Sequence, residues 1–178
     1  MAYRQDPNEL ALVAECLKHD RQSQKRLYDK YKDAMYTILY RMLNNEEDAA
    51  DALQEAFIQV FRGLSGYKGI SSLGAWIKTI VVRTALAKRK ASLQFEEIDE
   101  RFQKIEPIHW DTNLTGNYLN QAIRALSDGY RSIFLMVEVE GYTHREAAEM
   151  LGISEGTSKS QLYHAKKALQ KQLKEVMY

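Results

Sequence analysis

Residues 141–169 read Gly-Tyr-Thr-His-Arg-Glu-Ala-Ala-Glu-Met-Leu-Gly-Ile-Ser-Glu-Gly-Thr-Ser-Lys-Ser-Gln-Leu-Tyr-His-Ala-Lys-Lys-Ala-Leu, and no other stretch restricts the fold as tightly. Thr143 and Glu146 have the spacing of a capping box, which starts a helix. Ala147, Ala148, Met150 and Leu151 give that helix an apolar side whose small residues admit a close crossing. Gly152 can take the left-handed conformation that ends it. Ser154 can then cap a second helix. Along that helix Ser158, Leu162, Ala165 and Leu169 share one stripe. Lys159, Ser160, Tyr163, His164 and Lys167 lie on the other side. A helix, a tight turn and a second helix with an apolar back and a basic front can enter a DNA major groove. The same pattern is open to a plainer reading, a helical hairpin whose basic face is only solvated.

Charge narrows the choice. The net charge of +1 conceals a polarised chain. Residues 1–61 carry 8 Lys/Arg against 11 Asp/Glu, and residues 62–92 carry 7 Lys/Arg and no acid. Residues 93–116 carry 2 against 6, and residues 117–178 carry 8 against 7. A block of 31 residues with charge +7 predicts a local phosphate-binding face. An apolar content of 45% supports real cores, and 178 residues suffice for one domain or two small ones. No segment resembles a signal peptide, and no run of about 18 apolar residues could span a bilayer, so no membrane insertion is expected. The single cysteine, Cys16, excludes an intramolecular disulfide and reads as a buried thiol; with no Cys/His cluster, no metal or other cofactor is expected.

Periodicity predicts helices and no strand. Asp6-Pro7 opens a short helix to about Lys18. A second runs from about Arg21 to Leu43, with Leu27, Tyr31, Met35, Ile38 and Met42 inward. Asn44-Asn45 breaks it. A third begins near Glu46, with acids in its first turn, and turns Ala49, Leu53, Ala56, Phe57, Val60 and Phe61 inward. Gly63, Gly66 and Gly69 mark a loop before a fourth helix from about Ser72 to Lys90 or Ser92. Further helices are expected at about 117–126, 128–140, 143–151 and 154–176. The acidic stretch between, with Pro107 and no period, reads as a linker. The expected fold class is therefore all-α. Two small helical domains, 1–92 and 117–178, are joined by an acidic linker at 93–116.

The run from Glu140 to Leu162 closely resembles region 4, the promoter-reading domain of extracytoplasmic-function sigma factors of bacterial RNA polymerase, and most nearly the branch common in Bacteroidetes-type bacteria. The third helix, with Asp51, Gln54 and Glu55, resembles region 2.2, which docks on the clamp helices of the largest polymerase subunit; Ala50 departs from the first acid of that word. The block from Tyr67 to Lys90 resembles regions 2.3 and 2.4, which implies capture of the non-template strand of the minus-ten element as it melts. Ser72 and Trp76 fit, and Leu73 replaces the usual aromatic. Physically, a Gly/Ser loop leaves room for an unstacked base, and Lys78, Arg83, Lys88, Arg89 and Lys90 can follow the phosphates of a single strand. Trp76 itself reads as core before it reads as a stacking platform. An Asn is usual near Arg83 and an Asp near Ala87, so strand recognition is expected to rely more on charge here.

The resemblance implies a cytoplasmic bacterial transcription initiation factor without catalysis of its own. It would bind core RNA polymerase and promoter DNA, reading the minus-thirty-five element with the 154–170 helix. An anti-sigma factor would be its regulator. The linker reads either as an imitation of RNA charge in the polymerase exit path or as a plain tether. A second reading is a sigma-mimicking adaptor that binds an anti-sigma factor and never touches DNA; only Ala50, Arg83 and Ala87 favour it. A third is a one-component regulator whose N-terminal bundle senses or dimerises. An enzyme is the weakest reading: His19, His109, His144 and His164 are scattered, and no carboxylate pair, nucleophile–base set or phosphate loop is present.

Overall fold

The computed structural model describes residues 6–90 and 116–177. The expected linker, all but Gly116, lies outside the described residues. The chain divides into two compact units, Met1–Lys88 and Arg89–Tyr178. Both are helical, and no strand occurs among the described residues.

The first unit is organised by its caps. Asp6 caps α1 (Pro7–Leu17), accepting the Asn8 N–H at 2.9 Å. Asp20 caps α2 (Arg21–Leu43), accepting the Ser23 N–H at 2.8 Å. Asn44 ends α2 at φ 56, a left-handed conformation that Asn tolerates better than most residues. Asn45 then caps α3 (Glu46–Gly63), accepting the Asp48 N–H at 3.0 Å. The two asparagines thus make the turn of a tight helical hairpin. Ala49, Ala52 and Ala56 are wholly buried on α3, which lets α2 approach closely with Leu27, Leu39 and Leu43. Each fully buried leucine of this kind contributes about 1.5–3 kcal/mol. Tyr28 meets Phe57 edge-on, with ring centroids 4.7 Å apart. Tyr31 and Phe61, expected inward, are only half-buried; the Tyr31 hydroxyl donates to Glu9 of α1 at 2.7 Å, which draws it to the surface of the bundle. A short 3-10 turn, Leu64–Gly66, leads through a loop into α4 (Leu73–Arg89). Leu73, Ile77, Val81, Val82, Ala85 and Leu86 bury one side of α4. Cys16 is buried, and burial pushes its thiol above the ordinary value.

The second unit contains α5 (Gly116–Ala125), α6 (Asp128–Phe134) continued by a π-helical turn (Leu135–Val139), α7 (His144–Leu151) and α8 (Glu155–Met177). Arg131 is a structural centre. Its side chain is buried, and its guanidinium donates to the carbonyls of Arg124 (3.0 Å) and Leu126 (2.8 Å) and to the Asp128 carboxylate. It therefore closes the C-terminal end of α5, whose last carbonyls have no partner within the helix. Ile133, Met136, Ala147, Leu162, Ala165 and Leu169 form the core over which α8 lies. No helix of the described residues is long and apolar enough to cross a membrane.

Candidate nucleic-acid and polymerase interfaces

The helix-turn-helix is built as its residues dictate. Thr143 and Glu146 form the reciprocal capping box: the Glu146 N–H donates to the Thr143 hydroxyl at 3.2 Å, and the Thr143 N–H to the Glu146 carboxylate at 2.8 Å. The Thr143 N–H and, at 2.7 Å, the Thr143 hydroxyl donate to that carboxylate and hold it below its ordinary pKa. Gly152, at φ 70, turns the chain, and Ser154 caps α8 by accepting the Thr157 N–H at 2.9 Å. A second tie joins the helices. His144 Nδ1 lies 2.9 Å from the hydroxyl of Ser158, which is wholly buried. Burial, and after it the charge of Lys159, push the His144 imidazole below its ordinary pKa.

Along α8, Lys159 and Lys167 are exposed and Tyr163 and His164 are half-buried. Lys159 pairs with Glu155 one turn back at 2.7 Å, and its hydrogen bond holds the Glu155 carboxyl below its ordinary pKa. The Lys167 ammonium lies 5.9 Å from the Tyr163 ring centre. His164 stacks near Tyr130 of α6, with centroids 6.3 Å apart, and meets Tyr163 edge-on at 5.1 Å. Ser160 corrects the expectation. It is wholly buried, and its hydroxyl donates to the Thr157 carbonyl at 2.9 Å, so it is not on the outward face. Lys166, which the sequence pattern did not single out, lies seven residues after Lys159, close to two turns, and so shares its side. Its ammonium pairs with Glu138 at 2.7 Å.

In the first unit Asp51, Gln54 and Glu55 are all exposed on α3. Ile58 continues their stripe and is 51% exposed, a large apolar side chain in an acidic and amide-rich face. The sequence held the signal: Ile58 is three and four residues beyond Glu55 and Gln54, outside the inward set of Leu53, Ala56, Phe57 and Val60.

The basic block of α4 does not form one face. Arg83 and Lys90 are seven residues apart, near two turns, and share a side with Trp76. Lys78 and Arg89, eleven apart, share another and are half-buried. Lys88 points elsewhere, its ammonium 3.8 Å from the carboxylate of Asp51. That position separates Lys88 from Arg83 and Lys90 and puts it beside the acidic stripe of α3. Trp76 is half-buried, packed 5.5 Å from the Tyr67 ring and against Gly63, where an added Cβ would meet the indole at 3.6 Å. Ser72 is half-buried, and its hydroxyl is turned to α4, accepting the Ala75 N–H at 3.2 Å. The Tyr67 hydroxyl donates to the Ser71 carbonyl at 2.7 Å and straps the intervening loop, whose Ile70 is 81% exposed.

Two family models match in this order. One, described as Sigma-70 region 2, matches residues 27–92, and the other, described as Sigma-70, region 4, matches residues 116–169. Together they span about two thirds of the chain. The chain belongs to the extracytoplasmic-function sigma factors. Relatives agree along most of its length. An ECF sigma factor SigE of Mycolicibacterium smegmatis is 27% identical over 80% of this chain and 58% of its own. SigW of Bacillus subtilis is 24% identical over 92% of this chain and 96% of its own. Among solved structures, a sigma factor RpoE from Bartonella quintana, in complex with the anti-sigma factor NepR, is 22% identical with a TM-score of 0.54. That likeness covers 84% of this chain and 96% of the other, and at such identity it speaks for the fold alone. As a sigma factor the chain is a transcription initiation factor. Among the described residues no group of His, Cys, Asp and Glu is placed to hold a metal ion.

Proposed function

We propose that this sigma factor directs core RNA polymerase to promoters through three separate surfaces. In the region from 117 to 178, the outward side of α8 enters the major groove of the minus-thirty-five element. Lys159, Lys166 and Lys167 meet phosphates or base edges there, with Tyr163 between them and His164 toward α6. In the region from 1 to 92, Asp51, Gln54, Glu55 and Ile58 dock on a basic surface of core polymerase. Their acids complement its charge, and the isoleucine supplies a desolvated anchor. The loop from Tyr67 to Ser72 and the side of α4 bearing Trp76, Arg83 and Lys90 hold the melted strand of the minus-ten element. Lys78 and Arg89 lie on the far, half-buried side of α4 and stand outside this surface.

The observation that carries this reading is the capped helix-turn-helix, with an exposed lysine side on α8, following an acidic docking helix and a basic one in the order of regions 2 and 4. The protein works in the cytoplasm by binding rather than catalysis. An anti-sigma factor regulates it, a reading supported by the Bartonella quintana sigma factor RpoE, which forms a complex with the anti-sigma factor NepR. Pull-down with core polymerase, followed by run-off transcription from a promoter selected by the holoenzyme, tests the whole. Specific transcripts that require this chain are expected. Tight core binding without promoter-specific transcripts would instead favour the adaptor.

A further inference from the structure

The matched region 2 begins at residue 27, so α1 lies outside it. Yet α1 sends one side chain to the base of the strand-binding loop. Glu9, its side chain only 13% exposed, uses both carboxylate oxygens. Oε1 accepts from the Tyr31 hydroxyl at 2.7 Å and from the Lys30 ammonium at 3.2 Å. Oε2 accepts the backbone N–H of Leu73, the first residue of α4, at 3.2 Å. Tyr31 also covers the next residue: a Cβ on Gly74 would come within 3.1 Å of the tyrosine ring. The first turn of α4 is therefore held from two directions. Ser72 caps it locally through Ala75, and Glu9 caps it from a residue 64 positions earlier in the chain. Immediately before that turn lies the loop closed by Tyr67 and Ser71, whose Tyr67 ring rests on Trp76.

We infer that Glu9 is a positioning residue for promoter melting, fixing the start of α4 so that the 67–72 loop and Trp76 meet the unstacking strand in one geometry. The inference rests on the reading of that loop as the strand-binding element. It has a physical reason. Gly66 just before this loop and Gly69 within it restrict the backbone little, so beyond the Tyr67–Ser71 strap the order of the loop depends on how its ends are held, and order supplied before the strand arrives is entropy not lost at binding. A carboxylate that caps the next helix from outside supplies that ordering before the strand arrives. Glutamine cannot substitute, because it has one accepting oxygen where Glu9 uses two.

The test uses holoenzyme assembled with the full chain carrying Glu9→Ala, Glu9→Gln or Tyr31→Phe, with the double variant Trp76→Ala/Arg83→Ala as a control on the loop reading. Three quantities are measured: core affinity, permanganate reactivity of minus-ten thymines on duplex promoter, and transcription from a template pre-melted by mismatches. Glu9→Ala and Glu9→Gln are expected to lower duplex melting about tenfold, the effect of losing one charge-assisted hydrogen bond. Core affinity should stay within about twofold, the pre-melted template should restore transcription, and Tyr31→Phe should give a smaller loss in the same direction. If the double variant fails to melt duplex while Glu9→Ala melts it normally, the inference falls and the loop reading stands. If neither affects melting, both fall. If Glu9→Ala weakens core binding as much as melting, with no rescue by the pre-melted template, Glu9 only supports the fold and the positioning role is wrong.

Discussion

Lys159 offers the sharpest test of the proposed groove-reading side of α8. In the free protein its ammonium pairs with Glu155 at 2.7 Å, but the two side chains are 53% and 48% exposed. A pair so open to water and salt contributes little, so Lys159 can leave it for DNA at small cost. A well-placed lysine at a base edge is worth about 1–3 kcal/mol of discrimination, which at about 1.4 kcal/mol per decade is roughly five- to 150-fold in affinity. If Lys159 meets a phosphate instead, its removal weakens all sequences alike and reduces the salt slope by about one unit. Lys159→Ala should therefore lower holoenzyme affinity for the minus-thirty-five element, and the salt series from about 50 to 200 mM shows which contact was lost. Glu155→Gln should do the opposite, because it removes a like-charge neighbour of the phosphates and releases Lys159. Fluorescence anisotropy on a labelled promoter fragment measures both. Unchanged affinity and slope in Lys159→Ala combined with His164→Ala would refute the placement of this side of α8 in the groove.

Replacing Asp51, Gln54 and Glu55 together by alanine should weaken core binding severalfold and leave the melting temperature almost unchanged, since all three point outward; a pull-down titration beside a thermal melt checks this. Ile58→Ala should weaken core binding further without destabilising the fold, and a large fall in melting temperature instead would return the residue to a structural role. Arg131→Met leaves the Arg124 and Leu126 carbonyls and the Asp128 carboxylate without their donor; breaking a buried charge network of this kind costs about 3–5 kcal/mol, read by denaturant unfolding of the chain. His144 introduces a pH dependence. Folding lowers its pKa below the ordinary 6.5, so the native state binds fewer protons than the unfolded chain just below that value. Stability is complete above about 6.5 and declines as the pH falls through the folded pKa. Chemical denaturation between about pH 7.5 and 5 should show that decline, and His144→Gln should reduce it, with Lys159, Lys166, Glu155 and Glu138 as the charges facing the ring.

Helix positions, caps and the division into two helical units were legible because each rests on local chemistry. Asp6, Thr143 and Ser154 cap helices for the same reason they signal them, a short polar side chain that reaches a free backbone N–H. The site residues were legible only as far as one helix determines its own faces. Ser160 looked outward because it neighbours Lys159, but the packing of the second unit covers it completely. Lys88 looked like part of one basic face because charge was counted along the chain, whereas three-dimensional helical phase separates it from Arg83 and Lys90. Glu9 gave no signal at all: its partners are 21, 22 and 64 residues away, and no local pattern encodes such a contact.

The ion pair between Lys88 and Asp51 shows how closely the two proposed surfaces of region 2 adjoin. At 3.8 Å, one edge of α3, the proposed docking helix, meets one edge of α4, the proposed strand-binding helix. Two helices carrying opposite charge would otherwise present each partner with a mixed field, attractive to one and repulsive to the other. Directing a single lysine toward the acidic stripe offsets charge at the seam and leaves Arg83 and Lys90 on the other side. The separation follows from helical phase. Lys88 lies five residues after Arg83 and two before Lys90, which places it about 140° and 160° around the helix from them. Moving that lysine by one residue to position 87 would return it to the side of Trp76 and Arg83, where it would add a phosphate contact and leave Asp51 with one cation fewer. A charge that looks redundant when counted along the chain is thus assigned by the period of the helix to a different partner.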